Sequence, residues 1–170
     1  MKKILEGAIL VMVLSMAPSI HAQANSMSNF PTEDETGVPE EIYQYAEVIG
    51  DEFNICPELL LAIAERESRF QADAENGACK GLMQVNASCH KQRFVDAGWK
   101  SSEWADPYKN MYVAGSYLHD LFEQYEDAGI VLGIYHGERN AVQKGKSGNL
   151  SLYVTKILER SEELERIAGK

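Results

Sequence analysis

Residues 60–70 read LLAIAERESRF, and this stretch predicts a helix with one carboxylate on its apolar face. On an α-helix, residues three, four and seven positions apart lie on the same side. Positions 60, 63 and 64 are apolar, and the next position on that side is Glu67. Glu65 lies roughly 200° around the axis from Glu67, on the side that carries Glu58. The pattern therefore predicts that Glu67 is partly buried and that Glu65 is in water.

A carboxylate at the edge of an apolar face has a chemical use. Loss of hydration disfavours its charged form and raises its pKa. A carboxylic acid that keeps its proton near neutral pH can donate that proton to the leaving oxygen of a glycosidic bond. The alternative is that Glu67, near the helix end, reaches solvent or pairs with Arg66, Arg69 or Arg93.

The spacing of apolar residues before and after this helix predicts an all-α (mainly α) domain of five or six helices. Strand-like alternation is confined to a possible stub around Val85. Proline at a helix start and apolar residues at helical spacing indicate where the elements lie. The predicted helices cover residues 39–53 and 57–70, a long helix from Asp106-Pro107, and residues 129–135 and 150–166. Residues 71–104 and 138–148 are predicted to be loops, the first long enough to be functional.

The amino-terminal segment resembles an export signal. Two lysines at positions 2 and 3 precede an apolar run at 7–17, and residues 22–24, AQA, offer a small-x-small cleavage site. The alternative is a retained anchor, but the run is short against the roughly 20 residues that span a bilayer. We therefore expect a signal peptide at 1–24, a flexible leader at 25–38, and a domain at 39–168. The mature protein is expected to be secreted or in the cell envelope, with membrane contact only through the signal.

The charge of the chain excludes one class of function. The formal net charge is −10, and removal of residues 1–24 takes away two lysines and one glutamate, which makes it −11. A nucleic-acid-binding protein needs a basic face to displace counterions. Nucleic acid is therefore not an expected partner. Separately, we expect a monomer that uses no cofactor or metal.

Three cysteines, at positions 56, 79 and 89, have several possible states. In an exported protein, two would pair and one would be left over. Cys79 and Cys89 would close a short loop, which favours that disulfide. A metal site of Cys79, Cys89 and His90 lacks the paired C-x-x-C spacing that supports such sites. Free, buried thiols remain an alternative.

Four segments in the right order resemble the lytic transglycosylases of the soluble-transglycosylase, goose-lysozyme-like group. Glu67-Ser68 at a helix end is followed by NGACKGLMQVN at 76–86, similar to the family's Gly-Ala-x-Gly-Leu-Met-Gln loop. The resemblance extends over about residues 40–165. The other three segments are DPYKN at 106–110 leading into GSYL at 115–118, IYHG at 134–137 and YVTKIL at 153–158.

The resemblance implies a lysozyme-like helical domain with a cleft for peptidoglycan glycan strands. It implies that Glu67 is the catalytic acid and base, and that cleavage yields a 1,6-anhydromuramoyl end without water. By the same resemblance, Met83 and Gln84 are expected to line the cleft, Tyr135 to stand near Glu67 and the bound sugar, and Ser68 to assist Glu67. Two further candidates for substrate contact are His136, which could hydrogen-bond to sugar, and Tyr153, which could reach the cleft although packing is its favoured interpretation. For Met83, ordinary core packing is an equal alternative.

Two departures from the family pattern leave alternatives open. His136 stands where the family usually has Asn, which implies a shifted pH optimum or altered activity. Cys79-Lys80 lengthens the loop by one residue. A hydrolytic muramidase of the same fold would need a second carboxylate, and Asp73 and Glu75 are the candidates, both interpreted as solvated loop residues. A catalytically inactive glycan-binding domain is the remaining alternative.

Overall fold

The helix that carries Glu67 lies at the centre of the fold. The computed structural model describes residues 31–170, and the predicted signal peptide lies outside them. Within that range the chain forms eight α-helices, a short 3-10 helix at Ser101–Glu103 and a three-stranded antiparallel sheet. The helices are α1 Glu33–Thr36, α2 Glu40–Phe53, α3 Pro57–Ser68, α4 Lys91–Asp96, α5 Pro107–Tyr125, α6 Ala128–Tyr135, α7 Ala141–Ser147 and α8 Leu152–Ile167; the strands are β1 Glu75–Asn76, β2 Cys79–Lys80 and β3 Val85–Asn86. The mainly-α class is confirmed.

Helix α3 is enclosed by α2, α5 and α8. Pro57 begins it, in the first turn, where its missing N–H costs nothing. The helix ends at Ser68 rather than Phe70, because Arg69 and Phe70 adopt left-handed φ angles of 54° and 63°. The chain therefore changes direction after Ser68, and the Glu67 side chain lies at the edge of the core.

The prediction that Glu58 faces water is wrong. Every residue from 58 to 64 is buried, and Glu58 is 0% exposed. An amphipathic pattern separates two faces only when one of them meets solvent, and the first two turns of α3 are packed on all sides. The Lys170 ammonium lies 2.8 Å from Glu58 Oε1, and the Cys56 thiol donates to Oε2 at 3.0 Å.

The predicted loop at 71–104 is more ordered than expected. It contains the sheet, α4 and the 3-10 helix. Strand β2 pairs with both neighbours, placing Glu75 opposite Lys80 and Cys79 opposite Asn86. Two-residue strands are too short to produce a visible alternation of apolar and polar residues, so only the stub at Val85 was predictable.

The predicted loop at 138–148 is also wrong in part, since Ala141–Ser147 is helical. In the sequence, Gly145 indicates a loop, but in the structure it has a packing role. A Cβ at this position would lie 2.3 Å from Ile130 Cγ1, so the missing side chain lets α7 approach α6.

Packing of the chain begins before the predicted domain boundary at 39. Thr36 and Val38 are 4% and 1% exposed, and the Arg160 guanidinium of α8 donates to the Thr36 carbonyl. The part of the predicted leader from Glu33 onward therefore packs on the domain. Among residues 31–170, the helices all fall short of the length and apolar character that crossing a bilayer requires.

Candidate active site

Glu67 lies in the last turn of α3, half-buried, on the side of the helix shared with Leu60, Ile63 and Ala64. Those three residues are each 0% exposed. Burial raises the pKa of Glu67 above its ordinary value, and this effect outweighs a hydrogen bond from Tyr153 and the positive charges of His136 and Arg66, which lower it. The position predicted from the apolar stripe is confirmed, and the catalytic role of Glu67 stays a prediction.

Tyr153 connects Glu67 to the opposite side of the site. The residue lies in the first turn of α8, is 8% exposed, and donates its hydroxyl to Glu67 Oε1. The His136 ring stacks on the Tyr153 ring with centroids 3.7 Å apart and planes 11° from parallel. Burial, followed by the Glu67 carboxylate, raises the pKa of Tyr153, so the hydroxyl keeps its proton and remains a donor.

Replacing Tyr153 with phenylalanine is expected to move the alkaline limb of the activity profile to higher pH. The tyrosine hydroxyl favours the ionised carboxylate of Glu67, so its loss raises the pKa of Glu67 further. An acid catalyst is lost as pH rises through its pKa, and this loss would then occur at higher pH. The measurement is kcat/KM against pH for peptidoglycan cleavage.

The matched control for this change is Tyr112→Phe, on α5. The Tyr112 ring packs edge-on against Phe53 and Trp99. Its profile should follow that of the parent. A Tyr153→Phe profile with an unmoved or lowered alkaline limb would contradict the role given to the hydroxyl.

Helix α8 is fixed at its start by a polar cluster that the sequence did not reveal. The Ser151 hydroxyl accepts from Val154 N–H at 3.3 Å, as an N-cap. The same hydroxyl donates to Glu138, whose other oxygen lies 2.9 Å from the Lys144 ammonium. The cluster joins the turn after α6, α7 and the start of α8, and so holds Tyr153 beside His136.

The loop between β2 and β3 is held by Asn110 from α5. Asn110 is 0% exposed; its Oδ1 accepts from Met83 N–H at 2.8 Å, and its Nδ2 donates to the carbonyls of Lys80 at 3.0 Å and Trp104 at 2.9 Å. Gly81 makes this approach possible, because a Cβ there would lie 2.3 Å from Asn110 Nδ2. The asparagine of the Asp-Pro-x-x-Asn segment is thus a brace for the loop.

The expectation that the Met83 side chain lines the cleft is wrong. Met83 is 0% exposed and belongs to the hydrophobic core. Its backbone matters instead, because the Met83 carbonyl accepts from the Tyr135 hydroxyl at 2.7 Å. Burial and the nearby Glu67 charge raise the pKa of Tyr135 well above its ordinary value. Contact of Tyr135 with the bound sugar, which the resemblance implied, stays a prediction.

Two other predicted residues have contacts within the protein. Ser68 is buried, and its hydroxyl donates to the Ala64 carbonyl one turn earlier at 3.2 Å. Gln84, at a left-handed φ of 50°, donates through Nε2 to the carbonyls of Ala74 at 3.1 Å and Gly81 at 2.9 Å. Ser68 thus bonds within the last turn of α3, and Gln84 joins two parts of the loop that follows. Contact with a sugar stays a prediction for both.

The predicted Cys79–Cys89 disulfide is not formed, and all three cysteines are unpaired in the structure. Cys79 is half-buried in β2 opposite Asn86, whereas Cys89 is exposed in the turn after β3. That turn is set by Asn86 Oδ1, which accepts from Ser88 N–H and Cys89 N–H, each at 3.2 Å. The two thiols therefore lie in different surroundings.

Among residues 31–170, no carboxylate is one of the groups that shift the pKa of Glu67. The groups that shift its pKa are Tyr153, His136 and Arg66. Glu75 is half-exposed and pairs with Lys80 at 2.7 Å, while Asp73 is exposed in the turn before β1. The site thus offers one poorly hydrated carboxyl group, a tyrosine donor and basic side chains.

The family of the chain follows from comparison with known proteins. Curated proteins give no match to the chain. The family model described as "Transglycosylase SLT domain" matches residues 44–152, a range that includes Glu67, Asn110, Tyr135 and His136 but stops one residue before Tyr153. Because this range is more than half of the chain, the protein belongs to the SLT transglycosylase domain family, whose members are typically lytic transglycosylases that act on peptidoglycan.

Proposed function

We propose that this protein cleaves the β-1,4 bond between N-acetylmuramic acid and N-acetylglucosamine in peptidoglycan and leaves a 1,6-anhydromuramoyl end. The observation that carries the proposal is the setting of Glu67, which is half-buried and hydrogen-bonded to Tyr153, whereas the two candidates for a second carboxylate, Asp73 and Glu75, are exposed. A hydrolytic glycosidase normally uses two carboxylates, and the pKa of Glu67 is shifted by its burial and by tyrosine, histidine and arginine neighbours. A single carboxyl group suffices when the substrate supplies its own nucleophile.

The hydrogen bond from Tyr153 gives the two carboxyl oxygens of Glu67 different roles. Oε1 accepts from the tyrosine hydroxyl, so the proton to be transferred is held on Oε2. In the first step that proton passes to the glycosidic oxygen as the bond from this oxygen to the muramoyl C1 breaks. The Glu67 carboxylate then takes the proton from the 6-hydroxyl of the same sugar, whose oxygen bonds to C1. Water is neither consumed nor released, and Glu67 ends in its starting state.

The experiment that tests this reaction is digestion of purified peptidoglycan in water labelled with oxygen-18, followed by mass spectrometry of the released muropeptides. We expect anhydro ends, lighter by one water than reducing ends and free of label. Labelled reducing ends would instead identify a hydrolytic muramidase. Sedimentation of the protein with the wall without product release would identify a glycan-binding domain.

We also propose that the mature protein acts as a monomer outside the cytoplasm, in the periplasm or beyond the cell. The charged start, apolar run and AQA sequence of residues 1–24 support export. Amino-terminal sequencing of the protein recovered from the cell envelope or medium should begin at or near Asn25. An intact Met1 in that fraction would overturn the proposed cleavage.

A further inference from the structure

Two basic side chains lie against the same tyrosine in the candidate active site. The guanidinium carbon of Arg66 is 5.9 Å from the centre of the Tyr153 ring, and the His136 ring is stacked on that ring. Arg66 and His136 are both exposed, whereas Tyr153 is buried and bonded to Glu67. A bound substrate can therefore reach both basic groups beside the acid.

Among residues 31–170, no acidic side chain forms an ion pair with Arg66. Two arginines elsewhere in the fold meet acidic partners at close range, Arg93 with Asp120 and Arg160 with Glu65, each at 2.7 Å. Three others among residues 31–170 form no ion pair: Arg69, Arg139 and Arg166. In a chain of net charge −10, an unpaired cation beside the acid calls for an explanation.

A role in keeping Glu67 protonated does not explain why Arg66 lies in the site. A positive neighbour favours the ionised form of a carboxyl group, and the charges of Arg66 and His136 lower the pKa of Glu67 against the effect of burial. Both groups thus oppose retention of the catalytic proton. Their exposed position suits a different task, which is contact with an anionic group of the substrate.

We propose that Arg66 and His136 bind a carboxylate carried by the muramoyl sugar, an inference that rests on the proposed function. N-acetylmuramic acid bears a lactyl group with a carboxyl at its end, either free or joined to a stem peptide that has carboxylates of its own. N-acetylglucosamine has no acidic group. A guanidinium presents paired N–H donors that match a carboxylate. Recognition of this group places the sugar with the attacking 6-hydroxyl at Glu67, and so selects one of the two alternating bonds.

The same contact compensates for the overall charge of the protein. A net charge of −10 repels an anionic polymer at long range. Local cations at the cleft restore attraction where the substrate must bind, and they make binding sensitive to salt.

The experiment measures binding in the Glu67→Gln background, where neither cleavage nor titration of position 67 interferes. The probes are a peptide-free glycan oligosaccharide, the same compound with its lactyl carboxyls converted to amides, and a glycan that carries stem peptides. By calorimetry, we expect the carboxylate form to bind more tightly than the amide form. Adding Arg66→Gln should weaken binding of the carboxylate form by about fivefold and leave the amide form unchanged.

Two further variants define the result. Arg66→Lys keeps the charge and should retain part of the preference. Arg166→Gln removes the same charge from α8 thirteen residues beyond Tyr153, about 20 Å along the helix, and should have no effect. A preference and an Arg66 effect seen only with peptide-bearing glycan would place the recognised carboxylate on the stem peptide.

The inference is overturned if the carboxylate and amide forms bind equally well and Arg66→Gln also leaves binding of the peptide-bearing glycan unchanged. It is overturned as well if Arg66→Gln weakens the carboxylate and amide forms to the same extent. Its failure is distinct from that of the reaction. Anhydro products from the unaltered protein together with no carboxylate preference would reject only the binding site, whereas the absence of cleavage would reject the proposed reaction.

Discussion

Replacing Glu67 with glutamine is expected to lower the release of muropeptides by a factor of about 10²–10⁴, the range that a general acid contributes. Glutamine has nearly the same shape, and its amide oxygen can still accept from the Tyr153 hydroxyl that now binds Oε1. The amide carries no acidic proton for the leaving oxygen and cannot take one from the 6-hydroxyl. Both steps are therefore lost while the packing around position 67 is kept. The measurement is the rate of muropeptide release from purified peptidoglycan, with circular dichroism to verify the fold.

The control for this substitution lies two residues away. Glu65→Gln makes the same chemical change on the other side of α3, where Glu65 pairs with Arg160 at 2.7 Å. That pair is partly exposed, so its loss should cost less than about 1 kcal/mol of unfolding free energy and leave the rate near that of the parent. Equal activity of the Glu67→Gln and parent proteins would reject Glu67 as the catalytic acid.

The position of Glu67 could be predicted because it depends on local periodicity. A spacing of three, four and seven residues places it with Leu60, Ile63 and Ala64 in any α-helix, and tertiary contacts do not alter that relation. The helix starts at Pro57 and Pro107 were predictable for the same reason, since proline acts through its own ring and neighbouring backbone.

The features that the sequence did not reveal depend on which elements meet. Glu58 belongs to a helix face that would be wet on an isolated surface helix, and it is buried because α3 is enclosed. Gly145 indicates a loop until Ile130 is known to lie against it. The sequence of one element does not indicate which residues of other elements lie against it. The wrong predictions for Glu58 and Gly145 therefore both concern contacts between elements.

In the candidate site too, local features could be predicted from the sequence and contacts between elements could not. Tyr153 lies 86 residues after Glu67 in the chain, and its hydrogen bond to that residue follows from the docking of α8 on α3. The sequence favoured packing for Tyr153 and allowed only that its side chain could reach the cleft. Neither its role as a donor to the acid nor its stacking on His136 could be derived from spacing. The same holds for Met83, whose backbone contributes while its side chain fills the core.

Replacing Asn110 with alanine should cause the largest loss of stability of any site substitution discussed above, about 2–4 kcal/mol of unfolding free energy. The side chain satisfies three backbone groups from two segments, at Lys80, Met83 and Trp104. Because Asn110 is 0% exposed, solvent has little access to the N–H and carbonyl groups that alanine would leave without partners. Each buried polar group left unpaired costs about 1–3 kcal/mol, and a water admitted to the cavity would recover part of the total.

Loss of activity should accompany the loss of stability, because the brace acts on the part of the loop that contacts the site. The Met83 N–H donates to Asn110 Oδ1, and the Met83 carbonyl accepts from the Tyr135 hydroxyl. Loss of the first hydrogen bond therefore loosens the support for Tyr135. Urea unfolding monitored by fluorescence gives the change in free energy, and muropeptide release below the unfolding transition gives the activity.

Asn149→Ala, at an exposed position before α8, provides a matched control and should change the unfolding free energy by no more than about 0.5 kcal/mol. Asn110→Asp tests the donors separately, because aspartate keeps an acceptor for Met83 N–H but offers no N–H to Lys80 and Trp104 and places a charge in the core. An Asn110→Ala protein as stable as the Asn149→Ala control would mean that the loop is held by its own short strands. Since each of those strands is two residues long, the hydrogen bonds of one asparagine are the stronger constraint.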